Sequence, residues 1–181
     1  MTKVESRRST GNGLKLQPEA KPRVINFLVY GASTSVGLYA AQTARISARA
    51  SGRDLRLFGV ARKTRWELLK SEPYNYDHLV NYHDADWHEQ IQKLAAAEGI
   101  HYVYDAISEG DTVTRSSSTL APNGRMAIVR SREGGAWTAR SMPTEPIYGA
   151  VWEGLGEEVQ YQGLPVPKSS SARDFAVKVY R

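Results

Sequence analysis

Val24-Ile25-Asn26-Phe27-Leu28-Val29-Tyr30, followed at once by Gly31-Ala32-Ser33-Thr34-Ser35-Val36-Gly37, decides how the whole chain reads. The first seven residues are apolar and rich in β-branched side chains, and Gly31 ends them, the pattern of a strand buried on both faces. From Ser35 to Ala50 there is no proline and only one glycine, and Val36, Tyr39, Ala40, Thr43 and Ala44 recur at helical spacing. Gly52 then supplies a stop. A buried strand that runs through a turn of small residues into a helix opens a βαβ unit.

The alternation repeats outward from that unit. Strands are predicted at 55–61, 78–82, 102–107 and 125–130, the last after the turn Pro122-Asn123-Gly124. Helices are predicted at 64–70, 86–98 and 110–120, the second with Trp87, Ile91 and Leu94 on one stripe. Short links between alternating elements imply an α/β fold with a doubly wound parallel sheet, helices on both faces and a ligand crevice where strands one and four end. Residues 1–22, polar and without periodicity, read as a flexible lead-in, and 23–146 as the α/β body. Beyond Ser131 the glycines and prolines mark a loop, and 169–181 reads as a helix capped by Ser169 or Ser170.

Composition narrows the function. With 181 residues the chain is about one domain, and 41% apolar against 24% charged residues is an ordinary globular balance. Zero cysteines exclude disulfides and thiolate metal or nucleophile chemistry, and no metal site is expected. No run approaches the roughly 18 apolar residues that cross a bilayer, and no signal peptide is read, so a cytoplasmic protein without membrane contact is expected. The net charge of +5 is uneven: residues 45–65 carry seven basic groups and one acid, whereas 66–111 carry two basic groups and ten acids. That bipolar body is no phosphate-tracking stripe, and nucleic acid is not expected as a partner.

The turn after the first strand is where a doubly wound sheet binds phosphate, through free N–H groups and the helix dipole. Against G-x-G-x-x-G, the glycine positions hold Ala32, Thr34 and Gly37, so only the third is glycine. On pattern alone, a plain helix cap and a phosphate site remain equally open. Three enzyme classes drop out on specifics. A P-loop needs four residues between its glycines and a following lysine, but five intervene and none follows. A nucleophile elbow needs Gly where Ser35 stands. No lysine has a tyrosine four residues before it, which removes the Tyr-x-x-x-Lys dehydrogenases.

The second strand ends Gly59-Val60-Ala61 and runs into Arg62-Lys63-Thr64-Arg65. An NAD site would place Asp or Glu there for the ribose 2′-hydroxyl. Three cations and a hydroxyl, with no acid, suit a 2′-phosphate instead. A solvated basic turn is the bland alternative; its position after a phosphate-type turn favours NADPH.

VYGASTSVGLYAAQTARIS, LFGVARKTRWELLK, HLVNYHDADWHEQIQKL, YDAISEG and LAPNGRMAIV together resemble the nucleotide-binding (Rossmann) domain of medium-chain dehydrogenases/reductases. The nearest group is the zinc-free branch of quinone oxidoreductase-like proteins and fungal trans-acting enoyl reductases. The resemblance implies that Ser33, Thr34, Ser35 and Val36 hold the pyrophosphate and the 2′-phosphate edge of NADPH, with Gly37 in the same cofactor-binding turn, and that Arg62, Lys63, Thr64 and Arg65 bracket the 2′-phosphate. It further implies that Tyr82 lies beside the adenosine phosphate, and that Ile107 and Ser108 line the path to the nicotinamide.

Members of that family carry a GroES-like substrate barrel ahead of this domain, and the resemblance implies that the barrel is missing here. Residues 147–181 then correspond to the segment that returns to it, and no catalytic residue can be carried over. The expected function is the NADPH-binding domain of an oxidoreductase that transfers hydride to an activated C=C or carbonyl. Enones, quinones or acyl thioesters are the expected substrates, with a polyketide synthase as a candidate partner. The competing expectation is a non-catalytic NADPH-binding fragment or sensor. Apolar surface around Ile147–Trp152 and at Phe175, Val177 and Tyr180 is expected to stay uncovered and to promote self-association.

Overall fold

The computed structural model describes residues 23–139, 142–149, 151–161 and 164–179; the expected lead-in over 1–22 and Tyr180 lie outside them. Six strands, β1 (Val24–Tyr30), β2 (Asp54–Val60), β3 (His78–Val80), β4 (Ile100–Asp105), β5 (Leu120–Ile128) and β6 (Ile147–Tyr148), form one sheet in the order 3-2-1-4-5-6. Every pairing in it is parallel. The order reverses between β1 and β4, as the strand–helix alternation implied, and that reversal opens the crevice.

Alternating side chains of β1 feed two cores. Val29 joins Leu57, Ala41 of α1 (Ser35–Ala50) and Leu69 of α2 (Trp66–Lys70) on one face. Leu28 and Tyr30 point the other way, to Trp87, Ile91 and Ala95 of α3 (Trp87–Ala95) and Val113 of α4 (Thr112–Ser118). This period of two is what a strand covered on both faces must show. β4 departs from it. Val103 is buried, but Tyr102 on the opposite face is 38% exposed, beside Phe27 at a ring separation of 6.4 Å. An apolar groove of about 700 Å³ runs there, between that bare strip and Val36, Tyr39 and Ala40 of α1.

Several element ends differ from the sequence reading. β4 starts two residues earlier than predicted and stops at Asp105, because the Asp105 side chain takes the next N–H groups away from the ladder. The Pro122-Asn123-Gly124 turn lies inside β5 as a bulge: the register jumps from Ile100 opposite Leu120 to Tyr102 opposite Arg125. Asn123 takes a positive φ of 65° to make it. β6 was not foreseen at all, since two residues carry no periodicity. Residues 63–65 form a 3₁₀ turn ahead of α2.

After the sheet, β7 (Val159–Tyr161) and β8 (Leu164–Val166) pair antiparallel, and α5 (Ser170–Val179) closes the described chain. Its cap is Ser169, whose Oγ accepts the Ala172 N–H at 3.2 Å. Among the described residues no helix is long and apolar enough to cross a membrane.

Candidate functional site

The turn from β1 into α1 is held by its own atoms. Thr34 is the N-cap: its Oγ1 accepts the Gly37 N–H at 3.0 Å and donates to the Gly31 carbonyl at 2.8 Å. Gly31 and Ala32 both donate to the Val60 carbonyl at 3.1 Å, which ties the turn to β2. Among the described residues, the N–H groups of Ser33, Ser35 and Val36 have no hydrogen-bond partner. Three free donors at a helix N-terminus form a cradle for an anion.

Two glycines make that cradle. A Cβ on Gly37 would sit 2.4 Å from the Gly31 carbonyl oxygen, so only glycine lets the helix approach the strand this closely. Gly31 takes φ +75°, and a Cβ there would meet Ile107 Cγ1 at 2.8 Å. The glycine comparison therefore holds at Gly37, while the φ > 0 residue of the turn is Gly31, one place before the first fingerprint position.

Beside this turn, β2 ends and Arg62, Lys63, Thr64 and Arg65 follow, all exposed. No ion pair engages Arg62, Lys63 or Arg65 among the described residues, although six pairs form elsewhere. Arg62 Nε donates to the Tyr82 hydroxyl at 3.2 Å, and its guanidinium carbon lies 6.0 Å from the Tyr82 ring centroid. Residues from the ends of β2 and β3 thus meet on one rim.

Ile107 and Ser108 lie on the far side of β1, where β4 ends. Ile107 is half-buried against the Gly31 turn. Ser108 is completely buried, and its Oγ donates to the Asp105 carbonyl at 2.9 Å and accepts the Val129 N–H at 3.0 Å. Its hydroxyl is spent on the frame of the site. Asp105, which the sequence reading passed over, holds this turn: its Oδ1 accepts from Ile107 N–H at 2.9 Å and Ser108 N–H at 2.7 Å, and its Oδ2 from Thr112 Oγ1 at 2.8 Å. Burial pushes the carboxyl above its ordinary range, against the three donors that favour its charged form. The signal available was an Asp two and three residues ahead of N–H groups that leave a strand.

A cavity of about 660 Å³ opens where β4, β5 and β6 end, lined by Val36, Tyr104, Ile128, Arg130, Tyr148 and Trp152 among others. Val36 belongs both to the cradle and to this cavity. Arg130 is engaged by Glu109, and the Trp152 and Tyr161 rings lie 4.3 Å apart.

Residues 35–145 match the family model of the zinc-binding dehydrogenases. The chain belongs to that family. It carries the family's nucleotide-binding domain, that of the medium-chain dehydrogenases/reductases, as the five motifs implied. Despite the family's name, the chain has no cysteine, and no three His, Asp or Glu side chains come together as a metal site among the described residues, so no zinc ligand set is assigned.

Solved structures share the fold. The CurK enoyl reductase superposes with a TM-score of 0.57 at 21% identity, covering 86% of this chain and 43% of that one. A Bacillus thuringiensis protein assigned as an NADPH:quinone reductase gives 0.62 at 15%, covering 87% and 43%. A mycobacterial protein in complex with NADPH gives 0.55 at 19%, covering 71% and 40%. The chain thus spans about two-fifths of the length of these relatives in fold. No curated protein matches the chain in sequence.

Proposed function

We propose that this chain binds NADPH across the carboxyl ends of β2, β1 and β4, as the nucleotide-binding domain of a cytoplasmic enoyl- or quinone-reductase-type enzyme. The observation that carries the reading is the acid-free, cationic turn Arg62–Arg65, in no ion pair among the described residues, with Arg62 anchored to Tyr82 beside an N–H cradle.

Each part of the site has a task. The N–H groups of Ser33, Ser35 and Val36 donate to the pyrophosphate oxygens, and the α1 dipole favours their charge. Thr34 stays in the cap and keeps those donors aligned, and Gly37 keeps the helix close. Arg62, Lys63 and Arg65 supply positive charge to the 2′-phosphate, with Thr64 offering a hydroxyl. Tyr82 orients Arg62. Ile107 presents an apolar wall towards the nicotinamide, and Ser108 fixes that wall from beneath. NADPH would supply hydride to an activated C=C or carbonyl of an enone, quinone or acyl thioester. The fold shared with a protein assigned as the enoyl reductase domain of a polyketide synthase makes such a synthase a reasonable partner.

Titrating NADPH and NADH against wild type and an Arg62→Ala/Lys63→Ala variant tests the cofactor choice. A charge-assisted contact predicts a wild-type NADPH preference on the order of 10- to 100-fold, lost in the variant while NADH binding stays nearly unchanged. Equal wild-type affinities would mean that the basic turn is only a solvated face. NADPH binding without oxidation by an enone or quinone would favour the non-catalytic alternative.

A further inference from the structure

We propose that Asp105 is a positioning residue for the nicotinamide half of the cofactor, a role that rests on the NADPH reading above. Its carboxylate is completely buried at the end of β4, and it belongs to none of the ion pairs among the described residues. A buried carboxylate is costly unless donors surround it, and here three do. Those donors are all in the turn that follows β4 or the first turn of α4, so the carboxylate acts on a loop and not on the sheet.

The consequence is geometric. Oδ1 gathers two successive N–H groups and bends the chain so sharply that Ser108, a non-glycine residue, takes φ 54°. Ser108 Oγ then pins the turn to Val129 just beyond β5. Ile107, held by the same Oδ1, is left leaning on Gly31, with no room for a Cβ between them. One wall of the crevice therefore stands on Asp105, and the opposite wall is the phosphate cradle. β2 and β4 flank β1 on opposite sides, so this wall faces the half of a dinucleotide that the Arg62–Arg65 turn does not reach.

The test compares NADPH with adenosine 2′,5′-bisphosphate, which carries the adenosine half alone. Asp105→Ala leaves two N–H groups without an acceptor and releases the turn. NADPH affinity falls about tenfold or more, while the bisphosphate affinity changes less than about twofold. Thr112→Val removes one donor and leaves both backbone contacts; it weakens NADPH a few-fold in the same selective way, and Thr112→Ser restores it. This milder variant keeps the test decisive if Asp105→Ala fails to fold. Equal losses for both ligands, or no change with Thr112→Val, overturn the inference and leave cofactor binding standing. Wild type that binds neither ligand overturns the cofactor reading itself, and this inference with it.

Discussion

Arg62 and Tyr82, twenty residues apart in sequence, meet through a 3.2 Å hydrogen bond from Nε to the phenol oxygen, at the carboxyl ends of adjacent strands. Both are exposed, and the bond uses one of the five N–H donors of the guanidinium. The others stay available to an anion on the rim. The Tyr82 and His83 ring centroids also lie 4.2 Å apart.

Tyr82→Phe should therefore weaken NADPH by a few-fold, up to about tenfold, because one side-chain hydrogen bond contributes roughly 0.5–1.5 kcal/mol. The ring remains, so NADH affinity and melting temperature should hold. Isothermal titration of both cofactors checks it; an equal loss for NADH would show that Tyr82 does not act through the 2′-phosphate.

Salt should erode the discrimination. Arg62, Lys63 and Arg65 are exposed, and screening shortens to about 3 Å at 1 M ionic strength from roughly 10 Å at 0.1 M. The NADPH:NADH affinity ratio is expected to fall steadily across that range. A ratio independent of salt would contradict an exposed electrostatic site.

Gly37→Ala should destabilise the fold by about 1–3 kcal/mol, since the new methyl would sit 2.4 Å from a backbone carbonyl oxygen that cannot rotate away. Gly134→Ala, whose Cβ would meet nothing nearer than 3.5 Å, is the control and should stay within about 0.5 kcal/mol of wild type. Urea unfolding of the two variants measures the difference, and similar losses at both sites would refute the argument.

Asp105 gives a pH signature. Burial raises its carboxyl above the ordinary 3.8, with Glu109 adding to the rise and the Ser108, Ile107 and Thr112 donors opposing it. Just above 3.8 the folded chain keeps a proton that the unfolded chain has lost. Stability from this group is thus highest at low pH, falls as pH rises through the raised folded value, and levels off above it. Relative to Asp105→Asn, which does not titrate, wild type should lose stability as pH rises from the ordinary carboxylate value of 3.8 through the raised folded value. Denaturant titrations at a series of pH values would show this as a falling difference; a flat or rising one contradicts it.

The exposed apolar residues predict association. Ile147 is 58% exposed, and Val151 and Phe175 are each 68% exposed, on the segment where uncovered surface was expected. Sedimentation should show mass rising with concentration, and Ile147→Ser with Val151→Ser should reduce it. A dilution-stable monomer would count against the expectation.

Local pattern carried the frame of this protein. A β-branched run closed by Gly31 and a glycine- and proline-poor stretch after it set β1 and α1 to the residue, because side-chain periodicity is written directly in the order of residues. The same pattern implied the switch point between β1 and β4, since right-handed crossovers leave few ways to wind alternating elements. Tertiary structure decided what depends on partners distant in sequence. Gly31 has no room for a Cβ because Ile107 closes on it; Arg62 finds Tyr82 only when β2 and β3 are paired; the Pro122–Gly124 turn becomes a bulge because Ile100 and Tyr102 hold both of its sides. Asp105 shows the limit most clearly. Its type and spacing suggested a turn, but its complete burial, and with it the penalty on its charge, exists only once the helices have packed over β4.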